Sequence, residues 1–199
     1  MKKFELTSEF VTNISGTKLF RIKALVEFGD VEAGELGGYI EKEENLDHDG
    51  DAWVYGNALV CGDAWVCGDA RVCGDARVYG NAQVYGNALV CGDAWVCGDA
   101  RVYGDAQVYG DARVCGDARV YGDAQVYGNA DYAYAHGFGS VNRTTTFFRL
   151  KNGNVGVVCG CFHGTLQEFR DKIRETHGET KKAQEYLMLA DLMDFRFKN

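Results

Sequence analysis

Cys159, Cys161 and His163 occupy alternate positions near the C-terminus, and His177 lies further along. Sulfur and imidazole are ligands that zinc accepts. Alternate residues of one strand share a face, so three or four of these side chains could hold a metal. A cysteine nucleophile with His163 or His177 as its base is the other chemistry these residue types allow. Against both, C-x-C-x-H is not a standard zinc spacing, and no C-x-x-C pair accompanies it. Gly160 and Gly164 point to close packing, with the cysteines as small core residues. The expectation is therefore no metal and no cofactor, with these four residues the place to look for one.

These side chains need elements to position them. Thr144–Leu150 and Val155–Phe162 read as strands around an Asn152-Gly153 turn, a β-hairpin. Thr165-Leu166-Gln167-Glu168 is a capping box and opens a helix with Leu166, Phe169 and Ile173 inward. Gly178 ends it. Lys181–Phe195 reads as a second helix, with Ala183, Tyr186, Leu187, Ala190 and Met193 on one face. Residues 144–199 thus form a small α/β module, joined by a connector at 133–143.

The remaining histidines, His48 and His136, flank the most regular stretch, residues 50–127. That stretch repeats one six-residue phrase thirteen times without a break. Gly, Ala and Val never vary. The second place is Asp or Asn, the sixth is Tyr or Cys, and the fourth is Trp, Leu, Arg or Gln. Six residues are too few for a helical repeat. Read as a strand, Ala-x-Val turns Ala and Val to one side and x to the other. Gly and Asp/Asn suit a sharp corner. A chain that turns after every short strand, with small apolar residues always inside, winds into a stacked solenoid.

The phrase V-[YC]-G-[DN]-A-x closely resembles the hexapeptide repeat of left-handed parallel β-helices. That resemblance implies three hexapeptides per triangular coil, a left-handed winding, and residues eighteen apart in one stack. Residues 50–132 would be this β-helix, an all-β solenoid. At a strand spacing of about 4.8 Å it would stand roughly 20 Å tall. Residues 1–49 would be an N-terminal β cap and an irregular first coil. Ile40 and Leu46 lie six apart, as in a coil. Val54 lies eight further on, so a short loop around residues 47–49 should precede the array.

G-E-L-G-G-Y-I-E (residues 34–41), the array, and C-G-C-F-H-G-T (residues 159–165) together resemble bacterial and phage hexapeptide-repeat proteins. Those carry labels such as acetyltransferase or polymer-forming protein. The labels rest on the repeat, and function lives in sites rather than folds. The related acyltransferases use a histidine near a loop extruded from a coil and bind coenzyme A between subunits. Here no loop and no histidine interrupts residues 50–127. The γ-type carbonic anhydrases need three histidines at a subunit interface, and the array offers none. An acyltransferase-like enzyme is thus the alternative, and the main expectation is a non-enzymatic scaffold.

Stacking by eighteen places the outward residues in columns. One runs Trp53, Arg71, Leu89, Gln107, Gln125. A second runs Leu59, Arg77, Trp95, Arg113, Asp131. A third runs Trp65, Gln83, Arg101, Arg119, beside Cys67, Tyr85, Tyr103 and Tyr121. Stacked tyrosines are a good ladder in themselves. Exposed Trp53, Leu59, Trp65, Tyr85, Trp95, Tyr103 and Tyr121 on flat faces are also the residues of a protein interface. A homo-oligomer, dimer or trimer, is expected, with a host protein or small signalling ligand as further partner. The resemblance to phage proteins makes an accessory role, such as inhibiting host defence, the matching context.

The rest of the sequence narrows these readings. Net charge is −8, which disfavours nucleic acid as a partner. Residues 1–49 hold six basic and eleven acidic side chains, and residues 140–199 hold ten basic and seven acidic. Met1-Lys2-Lys3 starts like a signal peptide, but Glu5 and Glu9 break the apolar run that a leader needs. A cytoplasm (bacterial or phage-infected) is therefore expected and no membrane. Eight cysteines, six of them sharing the sixth repeat place, do not form the disulfide framework of a small secreted domain. The adjacent-coil pairs Cys73/Cys91 and Cys97/Cys115 are expected to stay free thiols, since in-register side chains rarely meet the disulfide torsion. The corner Asp and Asn residues could form a cation-binding or nucleic-acid-mimicking ridge. The plainer expectation is turn chemistry, each bonding its own backbone.

Overall fold

The computed structural model describes residues 1–138 and 143–198. Residues 50–127 form thirteen short parallel strands, most only two residues long. Each strand pairs with the one eighteen residues on: Val54 with Val72, Val72 with Val90, Val90 with Val108, Val108 with Val126. The strands sort into three faces, so the array is a parallel β-solenoid with three strands to each turn. Every Ala and Val of the phrase is buried in one continuous core. Single substitutions cannot be absorbed cheaply in such a core, because every rung uses the same two small residues.

Glycine is fixed at the corner for two reasons. Gly98 sits at φ +69°, where side chains are strained. A β-carbon there would also lie 2.9 Å from the backbone N of Gly116 in the next coil. At three corners the side chains bond between coils rather than to their own backbone. The Asn81 amide donates to Asp99 Oδ1, and the Asn87 amide to Asp105 Oδ1, at 2.9 Å each. The Asp51 N–H donates to Asp69 Oδ1 at 3.1 Å. Glycine already makes the turn, so these side chains are left to bond between coils. Asn above Asp also spaces the carboxylates of the ridge.

The first coil holds twenty residues. Ile40 pairs with Val60 and Leu46 with Val66, whereas Val54 pairs with Val72. The two extra residues fall in the expected loop before the array. In every coil the N–H groups point to the next coil and the C=O groups to the previous one, as in Trp53 N to Ala70 O at 3.0 Å. The upper end of the solenoid is therefore a row of acceptors and the lower end a row of donors. The caps match. Lys3 Nζ donates to Gly50 O and Ala52 O, at 3.1 and 3.0 Å. Asn45 Nδ2 donates to Gly62 O and Ala64 O, at 3.0 and 2.8 Å. At the lower end Arg119 N donates to Thr146 Oγ1 and Arg113 N to Asn129 Oδ1, at 3.0 Å each.

The N-terminal strands β1 (Phe4–Thr12), β2 (Lys18–Ala24) and β3 (Leu36–Ile40) extend one face upward, antiparallel to each other, with β3 parallel to the array. They change one sequence expectation. Trp53 is fully buried rather than exposed. Its ring meets Phe28 at 5.3 Å and Phe4 at 6.2 Å, between centroids. The x place points outward in every coil, but beside the first coil the cap stands over it. The Trp53 indole N–H is buried there without a partner among the described residues.

The lower module is larger than a hairpin. Its strands β4 (Tyr132–Phe138), β5 (Arg143–Arg149), β6 (Val155–Cys159) and β7 (Phe162–Thr165) form one antiparallel sheet. β4 occupies most of the expected connector at 133–143, which is thus corrected; residues 139–142 lie outside the described residues. Tyr132, Phe148 and Val158 join the solenoid core on one face of this sheet. Phe147 and Val157 meet two helices on the other. The helices are α1 (Leu166–His177) and α2 (Lys181–Phe197). Thr165 and Glu168 make the full capping box, and Gly178 ends α1. Among the described residues no helix is long and apolar enough to cross a membrane.

Candidate functional site

The outward side chains differ from face to face, and the difference selects one face. On the face of Leu59, Arg77, Trp95 and Arg113, Trp95 is already covered. Arg77 lies over its ring at 5.2 Å, Arg113 at 4.8 Å, and Tyr79 meets its edge at 6.1 Å. The β1–β2 turn overhangs the same face, so Leu59 and Trp95 line a groove of about 330 Å³ with Thr12–Ser15. On the face of Arg71, Leu89, Gln107 and Gln125, Trp53 is buried and Arg71 is tied to Asp30 at 2.7 Å.

The third face is open at Trp65 and Arg101, while at its foot Arg119 is half-buried and donates to Gly160 O of the lower module at 3.3 Å. Trp65 is 41% exposed and, among the described residues, has no ring or cation partner. Below it stand Gln83, Arg101 and Arg119, in register. Alongside runs a ladder. Tyr85 stacks on Tyr103 at 4.9 Å with planes 3° apart, and Tyr103 meets Tyr121 at 5.2 Å. The ladder ends on His163, whose ring meets that of Tyr121 at 4.7 Å. Burial raises the pKa of Tyr85 and Tyr103 above the usual tyrosine value. Cys67, at the head of the ladder, is buried and its thiol is pushed up to about 11. These groups are neutral at pH 7, half-covered and flat, while Arg101 stands exposed beside them.

The C-terminal candidates do not share a face. Gly160, at φ +62°, turns the chain, so Cys159 pairs with Phe162, and Val158 with His163. The alternation that reads as one strand is a tight hairpin. Cys159 faces the helices, accepting from Thr145 Oγ1 at 3.2 Å. His163 lies on the solenoid side, against Tyr121. Cys161 is exposed at the tip. Cys159, Cys161 and His177 line one groove beside α1, and His177 stacks near Tyr186. Among the described residues no three metal-capable side chains converge.

The array cysteines also depart from expectation. Cys73 is bonded to Cys91 and Cys97 to Cys115, while Cys61, Cys67, Cys159 and Cys161 are free. In-register stacking holds each pair of α-carbons 4.6 Å apart, inside the range a disulfide accepts. That spacing permits the bonds, and the expectation of free thiols at these four positions is corrected.

Sequence reasoning passed over Lys3 and Asn45, although a parallel stack must expose acceptors at its upper end and the cap must supply donors there. It also passed over His163 as the ladder's last ring.

Short parallel strands stacked every eighteen residues over an Ala/Val core define a repeat β-helix protein, a β-solenoid scaffold. The family model for the YdcK beta solenoid repeat matches residues 52–68, 70–84, 82–98, 94–110, 106–122 and 112–128. The similarity to that family thus falls inside the array. No curated protein matches the chain.

Proposed function

We propose that this protein is a non-enzymatic assembly and binding scaffold, and that its chains self-associate through the Trp65–Tyr121 face. The observation that carries this reading is the open aromatic column itself. Among the described residues Trp65 has no ring or cation partner above a flat tyrosine ladder, whereas the tryptophans of the other two faces are covered by the chain's own residues. Tyrosine and tryptophan are the residues that most often anchor interfaces. Four rungs about 4.8 Å apart, each some six extended residues wide, offer on the order of 400 Å² per copy. That is below the usual range for a stable interface, so the association is weak, reversible and concentration-dependent.

The resemblance to bacterial and phage hexapeptide proteins supports three finer points of this reading. They are a left-handed winding, an accessory role in an infected cell, and a host protein or small signalling ligand as further partner. The paired cysteines remove the thiol-based argument for a cytoplasm, since disulfides are uncommon there. An acyltransferase would need a histidine free beside an acceptor pocket. His48 instead accepts from Lys3 N at 3.1 Å and stacks on Phe4, the ring of His163 meets Tyr121 edge to face, and His136, though exposed, is bonded to Thr144 Oγ1 at 2.9 Å.

Trp65→Glu tests the proposal. Losing a buried aromatic anchor costs about 2 kcal/mol or more, which weakens self-association by at least about 30-fold. Light scattering across a concentration series should show the dimer dissociating, with unchanged circular dichroism. Unchanged mass for both Trp65→Glu and Tyr103→Glu would refute the interface.

A further inference from the structure

We infer that two copies pair with their rod axes antiparallel, Trp65 of one lying against Arg119 of the partner subunit. This rests on the self-association proposed above and adds its geometry. The outward column reads Trp65, Gln83, Arg101, Arg119 at equal steps, neutral in its upper half and cationic in its lower half. Two copies aligned in parallel at equal height would set Arg101 against Arg101 and Arg119 against Arg119. A two-fold axis between the Gln83 and Arg101 rungs separates the two Arg119 by three rungs and staggers the two Arg101 by one, about 4.8 Å. It places each Trp65 on an Arg119 and each Gln83 on an Arg101, an isologous contact that closes on itself.

The Trp–Arg contact is one this chain already makes. Trp95 lies between Arg77 and Arg113, with each guanidinium about 5 Å from its ring. Among the described residues Trp65 is the exposed tryptophan without such a partner. Arg119 is half-buried and its guanidinium donates to Gly160 O at 3.3 Å, with no carboxylate partner among the described residues, while Arg101 is exposed. The tyrosine column is symmetric about the same axis, with Tyr85 opposite Tyr103 and Cys67 opposite Tyr121.

A second observation, independent of that column, favours the same arrangement. The cap end carries eleven acidic and six basic residues over 1–49, and the module end ten basic and seven acidic over 140–199. Antiparallel rods bring each acidic end beside a basic one, and parallel rods bring like beside like. Over a Debye length of roughly 8 Å this orients the encounter as well as the complex.

The test places a photoreactive benzoylphenylalanine at position 65 of the full chain and irradiates the dimer. The inference expects cross-linked dimers that join tryptic peptide 43–71 to the partner's chain on either side of Arg119, as peptide 114–119, 120–143 or the uncut 114–143. The reciprocal label at Tyr121 must return the same pair. Dimers joining 43–71 to 43–71 would overturn the antiparallel arrangement while leaving self-association standing, as would a trimer in the native mass spectrum. A chain that stays monomeric at all concentrations, in the unlabelled protein as well, removes the self-association reading and this inference with it. Circular dichroism of each labelled chain distinguishes loss of pairing from loss of fold.

Discussion

Lys3 shows how a single side chain answers a demand set by the whole stack. It is almost fully buried, yet its ammonium bonds two carbonyls of the first coil and lies 4.7 Å from the centre of the Phe28 ring. Burial pulls its pKa below the usual lysine value, and Asp47, Asp51, Asp49 and Asp69 pull the other way. The charge itself is therefore costly, and what the residue contributes is its N–H groups. Lys3→Met keeps the volume and relieves the buried charge but leaves Gly50 O and Ala52 O unsatisfied. A buried acceptor without a donor costs about 1–3 kcal/mol, and two outweigh the relief. Chemical denaturation should show the variant less stable by about that amount. Equal stability would mean that water or another donor reaches those carbonyls. None of this was legible in the sequence. Met1-Lys2-Lys3 reads as the opening of a leader, and only the direction of the coil hydrogen bonds explains why a lysine is buried there.

At the scale of the elements, the repeat made the register legible. A strict period with Ala and Val fixed leaves one pairing, and Val54, Val72, Val90, Val108 and Val126 stack as that period requires. The period also concealed differences in place. Trp53 and Trp65 occupy the same position of the same phrase, yet the cap buries the first and leaves the second open. In the module the limit was different. Cys159, Cys161 and His163 alternate as one strand would, and a glycine at positive φ converts that alternation into a hairpin that sends Cys159 and His163 to opposite sides. The same glycine argument gives a comparison inside the array. Gly98 and Gly122 share the phrase and nearly the same φ, +69° and +71°. An alanine at either is strained by about 1–2 kcal/mol in the left-handed region. At Gly122 nothing lies within 4 Å of the added carbon, whereas at Gly98 the next coil's backbone N is 2.9 Å away. Gly98→Ala should therefore lower the thermal midpoint clearly more than Gly122→Ala. Equal losses would show that φ alone fixes the corner glycine and that coil spacing relaxes freely.

At the scale of the molecule, the solenoid is a polar rod with unlike ends. Acceptors face upward and donors downward, and each cap is built from the opposite groups. Any such rod is a template for a second rod placed end to end, because the lower end of one copy fits the upper end of another. The caps prevent this. β1 and β2 cover Trp53, while Lys3 and Asn45 occupy carbonyls that would otherwise accept from another chain. Removing residues 1–33 uncovers both Trp53 and the Gly50 and Ala52 carbonyls while leaving the array and the lower module in place. The lower end stays closed by Thr146 and Asn129, so the shortened chain cannot extend head to tail. It can join only upper end to upper end, through the uncovered tryptophan. Sedimentation of the shortened chain should therefore show discrete pairing that Trp53→Gln reverses, rather than open-ended growth. Indefinite fibres would mean that the module also leaves the lower edge, and that the caps do less to close the rod than their hydrogen bonds indicate.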